Sequence, residues 1–156
     1  MKIELSGKTA LVTGASRGIG SATAAVLARM GVSRFVLHYG GYREGAEKTL
    51  AKVRELGADG EIVQADLGAL PGIQSFLAWL GQSGLKADIL INNAGSLVGR
   101  ASLLEFSEEL YDRVMNLNVK SLWFITQAVA PAMVEKGSGV IVNLSSIAGR
   151  NGGGPG

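Results

Sequence analysis

The stretch Lys8-Thr9-Ala10-Leu11-Val12-Thr13-Gly14-Ala15-Ser16-Arg17-Gly18-Ile19-Gly20 restricts the fold of this chain more than any other. It reads as a short apolar strand, a glycine-rich turn and the opening of a helix. Thr9 to Val12 are β-branched or apolar, which favours a buried strand. Ser21 to Met30 is rich in helix formers, and Gly31 follows as a stop signal. Where glycines carry a strand into a helix, backbone N–H groups converge on the helix entrance and the macrodipole adds positive potential. Such a turn binds phosphate. Gly14 permits the tight turn, Gly18 lets backbone approach a pyrophosphate, and Gly20 lets the helix lie close on the strand. The spacing Gly-x-x-x-Gly-x-Gly departs from the commoner Gly-x-Gly-x-x-Gly, and a loop that merely needs glycines would show the same letters.

The same alternation continues along the chain. Arg34 to Tyr39 reads as a second buried strand, ended by Gly40-Gly41. Arg43 to Leu56 reads as a helix with Ala46, Leu50, Val53 and Leu56 inward and Glu44 paired with Lys48 on the wet face. Glu61 to Ala65 is a third strand leading to Asp66-Leu67. Pro71 suits the first turn of the next helix, which carries Ile73, Phe76, Leu77 and Leu80. Asp88 to Ile91 is a fourth strand, running into Asn92-Asn93-Ala94-Gly95. A long helix follows from Ser107, a good N-cap, with Glu108 and Glu109 in its first turn; Pro131 marks a kink or an end nearby. Val140 to Leu144 is a fifth strand, closing on Ser145-Ser146.

Strands alternating with longer helices predict right-handed βαβ units and a parallel sheet, and nearly all-apolar strands predict helices on both faces. The fold class is therefore α/β, a doubly wound Rossmann-type sheet forming a single dinucleotide-binding domain over residues 1–156. A length of 156 residues, 47% hydrophobic and 18% charged, suits one well-buried domain and argues against disorder. Gly149 to Gly156 reads as a glycine-rich loop that leads nowhere. The expectation is an amino-terminal portion of a longer one-domain protein, incomplete at the carboxyl end.

Bulk properties remove other classes. No run of apolar residues is long enough to span a bilayer, and Met1 to Leu5 lacks a signal-peptide core, so a cytoplasmic protein without membrane partners is expected. The absence of cysteine excludes disulfides and thiolate metal sites, and no metal site is expected. A net charge of +2 with no basic run gives no case for nucleic acid.

Ligands of open α/β sheets bind at the carboxyl ends of the strands. Those ends carry Gly14 to Gly20, Gly40 to Arg43, Asp66-Leu67, Asn92 to Gly95 and Ser145-Ser146. Asp66 can accept from an adenine amino group or cap the following helix. Asn92 and Asn93 can bind backbone in a turn or bridge neighbouring strands, while Ala94-Gly95 leaves room for a ribose or nicotinamide. Asn118 falls on the apolar stripe of Leu110, Val114, Leu117, Ile125 and Val129. It is either a satisfied core amide or a residue whose carbonyl holds a water beside the site. Ser146 can donate to a substrate carbonyl oxygen, or serve a local turn. His38, the one histidine, is structural or exposed and is given no role.

Taken together, Thr13 to Gly20, Asp66-Leu67, Asn92 to Gly95, Asn116-Leu117-Asn118-Val119 and Asn143-Leu144-Ser145-Ser146 resemble the short-chain dehydrogenase/reductase family. The order and intervals match over the whole chain, and the pattern is similar to 3-oxoacyl-(acyl-carrier-protein) reductases. The resemblance implies hydride transfer between a nicotinamide and a carbonyl or alcohol carbon, possible substrates including a 3-oxoacyl thioester. It also implies Ser146 and Asn118 as catalytic residues, with Ser145 the weaker candidate. Its cofactor positions are Gly14, Ser16, Arg17, Gly18, Ile19, Gly20, Tyr39, Arg43, Asp66, Leu67, Asn93, Ala94 and Gly95. By resemblance, too, the long helix packs against a second copy, giving a homodimer or homotetramer.

One departure matters. The family's general acid is the Tyr of a Tyr-x-x-x-Lys motif, placed by family spacing just beyond Gly156, and Tyr39, Tyr42 and Tyr111 do not fit that motif. The 156 residues alone are thus expected to hold half a catalytic site and to be inactive, with a non-catalytic NADP-binding module as the alternative. An S-adenosylmethionine-dependent methyltransferase is disfavoured by the loop Thr13 to Gly20. After the second strand, where an acidic residue would bind the ribose 2′-OH of NAD, stand Gly40-Gly41. Nothing there repels a 2′-phosphate, and Arg17 or Arg43 can pair with it, although Arg43 also reads as an ordinary helix-surface cation. NADP is therefore expected over NAD.

Overall fold

A computed structural model describes residues 5–151. Five strands, β1 (Thr9–Val12), β2 (Arg34–Tyr39), β3 (Asp59–Gln64), β4 (Ile89–Asn92) and β5 (Val140–Asn143), form one sheet in the order β3-β2-β1-β4-β5. Every pairing is parallel, with Leu11 opposite Val36 on one side and Leu90 on the other. The order reverses at β1, which is the switch point where such sheets open a crevice for ligands.

The side-chain period of two divides each central strand between two cores. Ala10, Val12, Phe35, Leu37, Ile89 and Ile91 point to one face, under α1 (Gly18–Arg29) and α2 (Arg43–Glu55). Leu11, Val36 and Leu90 point to the other, under α3 (Leu70–Ser83) and α5 (Ser121–Lys136). Ala24 and Ala28 of α1 are small enough to bring that helix close on the strands. Phe76 and Ile73 fill the opposite layer. At the amino ends of the strands Asp88 is buried. Burial pushes its carboxyl up, but hydrogen bonds from Lys136 and the Thr9 N–H, with Lys8 nearby, more than offset this and hold it low.

Several local expectations change. The helix α1 starts at Gly18, ahead of Ser21, and β3 starts at Asp59, ahead of Glu61. The covering of both sheet faces holds for β1, β2 and β4 and fails at the edges. Residues of β3 are exposed or half-buried and none is buried, and in β5 Val140, Ile141 and Val142 are 56%, 37% and 42% exposed. Each edge strand has a neighbour on one side only, and among the described residues little packs across β5.

The long helix is three segments: α4 (Glu108–Met115), a π-helical turn (Asn116–Lys120) and α5. Ser107 caps α4 by accepting the Leu110 N–H at 3.1 Å, as its residue type predicts. The wider π turn shifts the helix face, so Leu110, Val114 and Leu117 are only half-buried while Ile125 and Val129 lie in the core. Pro131 sits inside α5, which continues to Lys136 and ends at Gly137 with φ +66°. A short helix α6 (Ala148–Asn151) replaces the first part of the expected terminal loop; Gly152 to Gly156 lie outside the described residues.

Candidate functional site

Because all the strands run parallel, their carboxyl ends share one edge of the sheet. At that edge Gly14 (φ +66°) turns the chain out of β1, and Gly18 (φ +57°) opens α1. A Cβ on Gly14 would lie 2.9 Å from Ala94 Cα and from Asn93 Nδ2, and one on Gly20 only 2.4 Å from the Gly14 carbonyl oxygen. Gly14 and Gly20 are thus required by close packing. Gly18 is different: it is exposed, and nothing stands within 4 Å of the position a Cβ would take. The α1 entrance has no capping side chain and no acidic residue in its first turn, so its N–H donors and positive dipole end are left for an anion. Residues present here fit the pyrophosphate of a dinucleotide.

Four side chains hold this loop in shape. The Thr13 hydroxyl accepts the N–H groups of Asn93 and Ala94, each at 3.0 Å, and reaches the Ile91 carbonyl at 3.3 Å. The Asn93 amide donates to the carbonyls of Thr13 and Gly14, each at 2.9 Å. Asn93 therefore takes the bridging reading. The Thr49 hydroxyl of α2 donates to the Ala15 carbonyl at 2.9 Å. From β2, His38 Nδ1 accepts the Gly14 N–H at 3.2 Å.

Asn92, 4% exposed, donates to Asn143 Oδ1 at 2.8 Å and Thr126 Oγ1 at 3.0 Å, tying β4 to β5 and α5.

Around this centre the remaining candidates are spread along the edge. Asp66 forms a local turn, its Oδ1 accepting the Gly68 N–H at 3.0 Å, while Oδ2 pairs with Arg113 at 3.4 Å. It does not cap α3, whose N-cap is Ala69 without a side-chain bond, and it stays half-exposed. The Leu67 side chain is buried in the core below, which leaves only its backbone to meet a ligand. Tyr39 is buried, Ser16 half-buried, and Arg17 and Ile19 exposed. Arg43 is fully exposed and its Nε donates to Glu47 at 2.8 Å; that hydrogen bond, then Tyr39 and the Glu47 charge, raises its already high pKa. Its observed state is the helix-surface pair.

On the other side of β1, Asn118 lies in the π turn and clamps the loop after β4. Its Oδ1 accepts the Ser96 N–H at 3.1 Å, and its Nδ2 donates to Ser96 O at 3.0 Å and Val114 O at 2.9 Å. A Cβ on Gly95 would meet Asn118 Oδ1 at 3.0 Å. The amide is satisfied. Ser146 Oγ accepts the Ala148 N–H at 3.1 Å at the start of α6, which leaves its own proton for donation. Ser145 and Ser146 are both exposed at the end of β5.

The structure thus brings Gly14, Gly20, Asn93 and Ala94 into direct contact, and Asn118 against Gly95. Sequence reasoning gave no role to Thr13, Thr49 or His38. For His38 a signal existed: a polar ring within an apolar strand must find partners when buried. It is 2% exposed, and burial pulls its pKa from 6.5 to about 4, with the bond to the Ala65 carbonyl opposing. The structural reading is the correct one.

Known proteins resemble this chain over nearly its whole length. The short chain dehydrogenase family model matches residues 8–155. The chain is 35% identical over 143 residues to the 3-oxoacyl-[acyl-carrier-protein] reductase FabG of Staphylococcus aureus, covering 91% of this chain and 57% of that protein. It superposes on the NADH-dependent reductase A1-R' complexed with NAD at a TM-score of 0.85, with 36% identity, covering 100% of this chain and 66% of that one. A metagenomic short-chain oxidoreductase in complex with NADP gives a TM-score of 0.83 and 34% identity, covering 94% and 66%. The chain spans little more than half the length of the curated relatives it matches. A five-stranded parallel sheet with a glycine turn packed on an Asn-Asn-Ala-Gly strand end, matched by the family model over nearly all its residues, makes this chain a member of the short-chain dehydrogenase family.

Proposed function

We propose that the chain is the nucleotide-binding part of an oxidoreductase that moves hydride between NADP(H) and a carbonyl or alcohol carbon. The observation that carries this is the open α1 entrance, where Gly18 faces free space between a bare helix terminus and the strand ends. Gly14 to Gly20 take the pyrophosphate, with Ser16 and Ile19 in the same turn. Asp66 and the Leu67 backbone take the adenine, and Asn93, Ala94 and Gly95 border the ribose and nicotinamide. The cofactor, when bound, supplies or accepts the hydride.

This chain's residues orient and polarise. Ser146 donates a hydrogen bond to the substrate oxygen, where negative charge grows during reduction. Asn118 holds the Ser96 backbone, and with it the floor of the nicotinamide subsite. No Tyr-x-x-x-Lys motif occurs in the 156 residues. In this reading the alkoxide proton comes from a group outside them, and these residues alone bind cofactor without turnover. Likeness to the S. aureus reductase supports a 3-oxoacyl thioester as substrate.

For the choice of cofactor, Gly40-Gly41 after β2 carries no acidic side chain, and Tyr39 and Arg43 stand beside it. A 2′-phosphate can displace Glu47 from Arg43 and pair with the same guanidinium. The reading includes a homo-oligomer formed through the α4–α5 face, where Trp123 is 67% exposed, and a cytoplasmic location. No helix among the described residues is long and apolar enough to cross a membrane.

Titration of the 156-residue chain with NADPH and NADH, followed by nicotinamide fluorescence, tests this. Tighter binding of NADPH, with no oxidation on adding ketones or 3-oxoacyl thioesters, is the expected result. Absence of binding to either would overturn the cofactor reading, NADH preference would overturn the NADP assignment, and turnover would overturn the claim that the acid lies elsewhere.

A further inference from the structure

Three strand ends meet at one imidazole. His38 lies at the end of β2, flanked by β1 and β3, with its ring buried against Phe76 of α3 (centroids 4.9 Å apart, planes at 60°). Nδ1 accepts the Gly14 N–H at 3.2 Å, and Nε2–H donates to the Ala65 carbonyl at 3.1 Å. Only one neutral tautomer does both, because an N–H donor needs an unprotonated Nδ1. The His38 backbone carbonyl also accepts the Ala15 N–H at 2.8 Å. Two consecutive amides of the glycine turn are therefore tied to this residue.

The choice of side chain is informative. Against Phe76 an aliphatic residue of similar volume would fill the space without desolvating a polar ring. Both ring bonds leave the histidine's own strand and end just past β1 and β3, beside the backbone bonds that the Ala15 and Ala65 N–H groups make to the His38 and Tyr39 carbonyls. One loop runs on into Gly18 and the α1 entrance. The other runs on into Asp66 and Leu67. Opposite, Thr13 and Asn93 register the glycine turn to β4, and nothing in that network reaches β3.

We propose that His38 is a positioning residue for the dinucleotide. Its ring sets the distance between the turn that takes the pyrophosphate and the turn that takes the adenine. This rests on the cofactor reading above. A ligand that engages both turns depends on the spacing, and a ligand that engages one does not.

That difference supplies the test. In the full protein, His38→Leu removes both ring bonds, whereas His38→Asn keeps an acceptor for Gly14 and cannot reach Ala65. Affinities for NADPH, adenosine and inorganic pyrophosphate are measured on wild type and both variants, below each variant's unfolding temperature. Expected for His38→Leu is a loss of roughly tenfold or more for NADPH, with both fragments within about threefold of wild type. His38→Asn should lose at least about threefold for NADPH with fragments unchanged, and it carries the test alone if the leucine variant does not fold. NADPH binding that stays at wild-type strength would overturn the proposal. So would equal weakening of all three ligands, which marks general damage. A folded wild type that binds no dinucleotide would overturn the cofactor reading itself, and the His38 role with it.

Discussion

The Thr13 hydroxyl serves two N–H donors and one carbonyl at the point where β1 gives way to the glycine turn. Thr13→Val keeps the shape and leaves those partly buried donors unpaired, at about 1–3 kcal/mol for each that water does not reach. Urea unfolding should show a loss of roughly 2 kcal/mol or more, and Thr13→Ser should recover most of it. At His38 the effect runs through pH. The unfolded imidazole takes a proton near pH 6.5, while the buried one stays neutral to about pH 4. Between these values the unfolded chain holds the extra proton, so stability falls as pH drops and the loss is complete below pH 4. The span corresponds to about 3 kcal/mol, and His38→Leu should flatten the slope of unfolding free energy between pH 7 and pH 4.5. Little of this was legible in sequence. The partners of Thr13 lie 78 to 81 residues away, and no local pattern announces them.

At the α1 entrance, two glycines that look alike in sequence behave differently. Gly20→Ala drives a Cβ against the Gly14 carbonyl and cannot be absorbed without moving backbone, so a loss of about 2–4 kcal/mol is expected in thermal or urea unfolding. Gly18→Ala meets no atom and carries only the strain of a positive φ, about 1 kcal/mol. Its larger effect should be on dinucleotide affinity, because the methyl group occupies the open space.

The π turn gives a parallel case. Asn118→Ala releases the Ser96 N–H and C=O together, and hydrogen exchange at the Ser96 amide should quicken while α5 stays protected. Five strands and their helices were readable as apolar runs between glycines and caps. The break in the long helix was not, because Asn118 adopts it in answer to a loop in another part of the chain.

The whole sheet shows which long-range facts a sequence withholds. Parallel architecture follows from alternation, but the order β3-β2-β1-β4-β5 rests on pairings between distant segments. Coverage by helices follows for the three central strands and fails at β5, whose Val140 to Val142 stay exposed on an open edge. Unpaired strand edges with apolar side chains invite association. The 156-residue chain alone is expected to self-associate in light scattering, and Val140→Lys to reduce this with a change in stability under about 1 kcal/mol.

The Thr13–Asn93 bridge has a further consequence for how the molecule comes into being. A ribosome delivers β1, α1, β2 and α2 early, and with them the His38 and Thr49 bonds to the glycine turn, yet the bonds that tie this turn to β4 wait for a residue 80 positions downstream. Until then the turn is held from the β2 and α2 side alone. The complete set of bonds to the turn forms only after β4 has cleared the exit tunnel, and a peptide carrying Thr13 to Gly20 alone would be a poor mimic of its shape.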